Sequence, residues 1–284
     1  FPMATLSKNL EGKEMSELGF MKDLGAIAFS EGLNYFSNTR DLFKILKYIK
    51  TLDVPFIGHP QEGTLSHGAV ATTSPFALKM GLPQVPSIAE KIGLERDLAL
   101  ISETKGQYHA DQVTTGPAIE TLRKYKALGL KVSAGTSIHH VSLNDLDIGP
   151  YRSFFKMTPP LRTETDRLAI IEGLKDGTID IIGSFHTPQD EESKRLPYEI
   201  AAPGAVGLET LLCSALRLVQ EKIFTLPEIF RFLSLNPANI IGKPFGRISA
   251  GAPADLIVFD PDEPFILNRF KLQSKSKNTP FDEQ

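Results

Sequence analysis

The sequence predicts an α/β fold, specifically a (β/α)8 TIM-type barrel, and two observations carry that reading. Short, β-rich apolar runs alternate with helical stretches, as in βαβ units built on a parallel sheet. Polar or ionisable residues recur where the apolar runs end, which is where a barrel of this kind gathers its chemistry.

The predicted strands are Ala26–Phe29, Val54–His59, Gly106–Val113, Lys131–Thr136 and Thr178–Phe185. The predicted helices are Arg40–Thr51, Ser87–Thr104, Gly116–Leu128, Glu164–Asp176, Gly207–Glu221 and Leu226–Leu235. Thr163 with Asp166 three residues on gives the Glu164 helix a capping-box start, and Gly177 stops it. Leu168, Ile171 and Leu174 recur along that helix at helical spacing. Ser87 with Glu90 reads as a similar start signal.

A barrel of this type needs eight strands, so the first strands are expected upstream of Phe1, a reading that a first residue other than Met supports. Residues 1–241 then form the C-terminal, larger part of the barrel. Residues 242–284 read as the start of a small β-sandwich module and a tail, with a strand expected at Asp255–Asp260.

A chain of 284 residues with 41% hydrophobic and 23% charged content has the composition of a globular domain with a large core. The net charge of −3 leaves no electrostatic footprint for nucleic acid. The single cysteine, Cys213, precludes a disulfide within one chain and suits a reducing compartment; its apolar helical surroundings suggest a buried small side chain. No apolar run is long enough to span a membrane, and Phe1-Pro2-Met3-Ala4 opens no secretory leader, so a soluble, cytoplasmic protein is expected.

Several residues stand at predicted strand ends: Glu31 after the first, His59 at the second, Gln112 in the third, His139 and His140 past the fourth, and His186 at the fifth. On a strand, adjacent histidines point to opposite faces, so at most one of His139 and His140 faces a barrel mouth. His109 reads as core or rim, and His67 lies in a loop segment. Lys194-Arg195 is either a solvated basic pair or an attractor for a carboxylated substrate.

Longer stretches carry a resemblance. Pro159-Pro160-Leu161-Arg162, Gly173–Asp180, Pro203–Thr210, Asn236-Pro237-Ala238, Gly251–Asp260 and Ser276–Phe281 follow one another over nearly the whole chain in the order found in dihydroorotases. The chain therefore resembles dihydroorotase, one of the cyclic amidohydrolases of the amidohydrolase superfamily. Asn236-Pro237-Ala238 and Ala254–Asp260 are shared widely among such enzymes, whereas Pro159–Arg162 and Ser276–Phe281 point more narrowly to dihydroorotase.

That resemblance implies reversible hydrolysis of dihydroorotate to carbamoyl aspartate in pyrimidine biosynthesis. It implies one or two zinc ions, which lower the pKa of a bound water and polarise the scissile carbonyl. It implies metal ligation by His59 and, with changed geometry, by Glu31. At Gln112 a neutral amide replaces a liganding imidazole. Phe185 stands where the family has the aspartate that serves as base and ligand. Thr158, Gln189, Pro203 and Gly204 fall at substrate-side positions, the last two as a loop whose backbone would lie along a cyclic amide.

Two other readings accompany this one. The first is a non-catalytic dihydroorotase-like scaffold whose partner would be aspartate transcarbamoylase, which Gln112 and Phe185 favour. The second is a hydantoinase- or allantoinase-type amidohydrolase. A homodimer is expected by analogy with related barrels.

Overall fold

A computed structural model describes residues 1–283. Its eight strands are β1 (Met3–Thr5), β2 (Ala28–Ser30), β3 (Phe56–Gly58), β4 (Ala71–Thr72), β5 (Gln84–Val85), β6 (Tyr108–Ala110), β7 (Val132–Ser137) and β8 (Ile181–Gly183). The chain gathers into two compact, interleaved units. Unit 1 comprises residues 1–69, 85–136 and 168–180, and unit 2 comprises residues 70–84, 137–167 and 181–284.

Unit 1 is a parallel sheet with helices between its strands. β1 pairs with β2, β2 with β3, β3 with β6 and β6 with β7, all in parallel. The predicted strands are found at β2, β3, β6 and β7, and the fifth at β8 in unit 2. β1 was not foreseen: three residues with a half-exposed edge give too short an alternation to register as a strand.

The helix Thr39–Leu52 buries Leu42, Ile45, Leu46 and Ile49, spaced three and four residues apart, so one stripe faces the core. Its start is capped by Asn38, whose side chain accepts from Asp41 N at 3.2 Å, and Asp53 closes it in the left-handed region. The helix Ile88–Thr104 packs against Thr39–Leu52 on one side and Gly116–Ala127 on the other.

Two buried carboxylates fasten that central helix. Asp97 accepts from Arg96 Nη2 at 2.6 Å and from Tyr108 Oη at 3.0 Å, which ties the helix to β6, and the Arg96 guanidinium lies 4.0 Å from the Tyr35 ring centre. Glu90 does not act as the partner of a Ser87 cap. Ser87 has helical backbone angles and no capping bond, while Glu90 accepts from Thr114 N at 2.7 Å, Thr115 N at 2.9 Å, Thr115 Oγ1 at 3.1 Å and also Thr114 Oγ1.

In unit 2, β4 and β5 form a small ribbon in which Val70 N and Ala71 N both reach Pro83 O. Its core holds Ile148, Phe155, Leu161, Tyr198, Val206 and Phe281. The expected cap at Thr163 is present: Asp166 N donates to Thr163 Oγ1 at 3.3 Å, and Thr163 Oγ1 donates to Asp166 Oδ2 at 2.7 Å. The run foreseen as Leu226–Leu235 divides into an α-helix at Leu226–Phe230, a wider π turn at Arg231–Leu235 and a further helix at Asn236–Ile240.

Two expectations fail here. Asp255–Asp260 forms no strand, with Val258 fully exposed and Leu256 and Ile257 at 62% and 64%, because no described segment pairs with it. Cys213 is exposed on the helix Leu211–Gln220, since its position falls on the outward side of that helix, away from buried Ser214, Ala215 and Leu218. Among the described residues no helix is long and apolar enough to cross a membrane.

Replacing Glu90 with alanine strands two buried backbone donors and two buried hydroxyls at once. The expected cost is about 3 kcal/mol or more. It is read as a lowered urea midpoint with unchanged slope, and an unshifted midpoint would show that Glu90 contributes nothing to the fold.

Candidate functional site

In unit 1 the register Ser30 with Ile57 and Gly58 with Ala110 aligns the C-terminal ends of β2, β3 and β6. Glu31, His59 and Asp111-Gln112 follow those ends, so the sheet brings three of the foreseen positions to one edge. Their side chains are not equally placed. Glu31 is buried, and its carboxylate accepts from Ser7 N at 3.2 Å, from Ser7 Oγ and from Gly12 N at 3.2 Å. It clasps the segment that follows β1, its carboxylate serving backbone and hydroxyl donors.

His59 and Gln112 are both buried. Gln112 has φ of 52°, the left-handed region that glutamine seldom adopts. Beside it, burial raises the Asp111 carboxyl to about 7, with the Gln112 backbone donor working the other way. His109 donates to or accepts from Ser133 Oγ at 2.8 Å within the sheet, and burial pushes it down to about 4.

The other foreseen positions lie in unit 2. Phe185 follows β8 at φ of 40°, again left-handed, and its carbonyl accepts from Thr187 Oγ1 at 3.1 Å. Its ring offers neither a lone pair for a metal nor a proton acceptor. Among the described residues no three His, Cys, Asp or Glu side chains are grouped so as to hold a metal ion. An amide at Gln112, a phenyl at Phe185 and an engaged carboxylate at Glu31 are each poor donors for zinc.

Three of the four substrate-side positions do converge. Gln189 Nε2 donates to Pro203 O at 3.0 Å, so this loop closes on itself at its neck. Asn278 completes the closure: its Oδ1 accepts from Gln189 N at 3.2 Å, and its Nδ2 donates to Gly204 O at 3.0 Å. Gly204 has φ of 118° and Thr187 pressed against the place a Cβ would take, so only glycine fits. Thr158 is exposed and joined to Pro159 by a cis peptide bond, two residues after Lys156, whose carbonyl accepts from Gly204 N at 2.8 Å.

The histidine pair is built differently from a strand pair. His139 and His140 lie in a short helix, Ile138–Ser142, and both are buried. His140 is held between Ser137 Oγ at 3.0 Å and the carbonyls of Pro159 and Pro160 at 3.1 and 3.2 Å. His139 stacks on Phe281 with ring centres 5.6 Å apart and leaves Nε2 without a hydrogen bond. Burial lowers His139 to about 4 and His140 to about 3, with Arg162 adding to the latter. His186 Nδ1 accepts from Gly207 N and Leu208 N at 3.2 and 3.3 Å, a structural role at the turn before the Leu211 helix.

Lys194 and Arg195 are not a solvated pair. Arg195 is exposed and bonded to Glu191 and Glu192, whereas Lys194 is buried with its ammonium on main-chain carbonyls. The residues that sequence reasoning missed are Asn278 and Phe281. Their stretch, Ser276–Phe281, was a recognisable signature, but only the fold shows what it grips.

The acid-side behaviour of the protein follows from these burials. Each of His109, His139 and His140 has a folded-state pKa below the ordinary value of 6.5, so each stays neutral when folded and favours unfolding as protons become available. Their contribution is present above about pH 6.5 and is lost as the pH falls through about 4. Asp111, raised to about 7, acts in the opposite sense over the same window. At pH 5 each histidine costs about 2 kcal/mol and Asp111 returns about as much as one of them. Urea midpoints at pH 7 and pH 5 check this: a clear fall at pH 5 is expected, and equal midpoints would mean that the rings are solvated.

Comparison with known proteins fits this geometry. Residues 41–281 match the amidohydrolase family. Dihydroorotase from Syntrophus aciditrophicus is 36% identical over 99% of this chain, and a dihydroorotase-like protein from Pseudomonas aeruginosa is 34% identical over 99%. The chain spans 66% of the length of each of these relatives. Among solved structures, L-hydantoinase (dihydropyrimidinase) from Arthrobacter aurescens superposes with a TM-score of 0.86 at 22% identity, covering 99% of this chain and 65% of that one. That likeness establishes the barrel fold expected from the sequence.

Proposed function

The chain belongs to the amidohydrolase family, and on that footing we propose that it is a dihydroorotase-like subunit in which the barrel is kept as a scaffold without a working metal centre. One observation carries the reading: the positions that would ligate a metal and move a proton hold Gln112, Phe185 and a Glu31 already committed to Ser7 and Gly12. The loop Gln189–Gly204 is meanwhile intact and held shut by its own side chains. A barrel that preserves its architecture and loses its donors suits assembly better than hydrolysis.

The partner in this reading is aspartate transcarbamoylase, with the chain itself as a homodimer. The cytoplasm is its compartment. Residues 1–241 are the barrel portion, and 242–284 are the start of a small β module.

A second reading keeps the enzyme. Identity of 36% to a protein named dihydroorotase, together with His59 at a strand end, supports reversible hydrolysis of dihydroorotate to carbamoyl aspartate with weakly held zinc. Hydantoinase or allantoinase chemistry is supported more weakly, by fold likeness at 22% identity.

The deciding measurement takes the full-length protein, dialysed against zinc. Bound metal is counted by mass spectrometry, and dihydroorotate turnover is followed in both directions. The expected result is less than one zinc per chain and no turnover above background, with co-elution of added aspartate transcarbamoylase. Stoichiometric zinc with turnover establishes the second reading instead.

A further inference from the structure

Two residues at the exit of β8 are each out of place when taken singly. Gly183 stands inside the strand, where a glycine gives up packing and chain entropy. Phe185 has φ of 40°, in the left-handed region that bulky side chains avoid, and its side chain is partly buried. Each becomes intelligible beside the other. The point where a Cβ on Gly183 would stand lies 2.8 Å from Phe185 Cε2, 3.2 Å from Cδ2 and 3.4 Å from Cζ. The three nearest atoms all belong to that one ring, so the phenyl folds back over the strand and takes the place of a side chain at 183.

The main chain on both sides of Phe185 is held as well. Ser184 O lies 2.1 Å from the place a Cβ on Gly207 would take, a close approach that only glycine permits. His186 bridges to Ala205, Thr187 N donates to Ala205 O at 2.8 Å, and Thr187 Oγ1 donates to Phe185 O at 3.1 Å. His186 Nδ1 accepts from Gly207 N at 3.2 Å and from Leu208 N at 3.3 Å, so the neutral ring carries its proton on Nε2. A left-handed phenylalanine persists only where its surroundings over-determine it. The 205–208 segment supplies one brace, and the ring seated on Gly183 supplies the other from the strand itself. The peptide plane that leads into His186 turns with the dihedral angles of Phe185, so what holds Phe185 also aims His186.

We propose that Gly183 and Phe185 are a matched pair: the phenyl ring seats on the face of β8 that Gly183 leaves bare, and this seat fixes the left-handed exit of the strand and the orientation of the His186 ring. Phe185 is thus a positioning residue, one that packs where it offers no donor. The pair deepens the scaffold reading and rests on it for its meaning, but neither zinc nor turnover enters its measurement, so either can fail alone.

A double-mutant cycle in the full-length protein tests the pair. Gly183→Ala is expected to lower the urea midpoint in the wild-type background, where the ring must leave its seat. Beside Phe185→Ala it is expected to leave the midpoint unchanged or to raise it, because the crowding ring atoms are gone and alanine narrows the unfolded ensemble. The coupling between the two changes is expected to be roughly tenfold in the unfolding constant. A Gly183→Ala protein that folds only together with Phe185→Ala meets the same expectation. Equal shifts in the two backgrounds, or no shift in either, overturn the pairing. The aim of His186 is read separately, from the chemical shifts of isotopically labelled histidine nitrogens at about pH 8, with the signal assigned by its loss in His186→Gln. Wild type and Phe185→Tyr, which keeps a ring, are expected to show a single Nε2–H form, and Phe185→Ala a mixture of both tautomers. An unchanged His186 signal in Phe185→Ala overturns the positioning role, whether or not the Gly183 variants fold.

Discussion

The carboxylate of Glu90 is the constraint on which the central part of the sheet depends. Four donors from Thr114 and Thr115 converge on it from the turn that carries β6 into the helix Gly116–Ala127. A buried carboxylate is tolerated only when its lone pairs are filled, and here the filling is done by two residues of one turn. The turn is therefore fixed relative to the helix Ile88–Thr104, and with it the left-handed Gln112 two residues earlier. Asp97, two helical turns further on, fastens the same helix to Tyr108 at the other part of β6. Between them the two acids hold a strand and its exit loop on one helical face.

Unit 2 is organised around a different device, the threading of the Ser276–Phe281 stretch past the Gln189–Gly204 loop. Asn278 addresses both limbs of the loop with one amide group, accepting on one side and donating on the other, which suits the two faces of an asparagine side chain. Phe281 then places its ring on His139, and Gly207 leaves room beside that ring where any side chain would collide with Ser184 O. The signature residues of this stretch are thus explained by what they grip, and none needs to touch a reacting atom.

How far the sequence discloses this depends on whether an interaction is local. Alternating strands and helices and the Thr163–Asp166 cap are written in neighbouring residues, and the structure agrees with them. Glu90 looks like half of a local cap with Ser87, yet it is claimed by residues 24 and 25 positions downstream, and no local pattern could reveal that. Asp255–Asp260 has the composition of a strand, but a strand exists only with a partner. Glu31, too, looks available for ligation until Ser7 is seen beside it. The departures at Gln112 and Phe185 were legible at once because they concern what a side chain can bind, whereas Lys194 was misjudged because burial of a charge is decided by the whole loop.

The ties that close the Gln189–Gly204 loop run through amides, a lysine and main-chain carbonyls. Such a loop tolerates stepwise erosion of the strand ends: an imidazole can become an amide, or a carboxylate a phenyl, without the scaffold around it coming apart. A loop assembled in this way keeps its backbone in place whatever side chains occupy the strand ends.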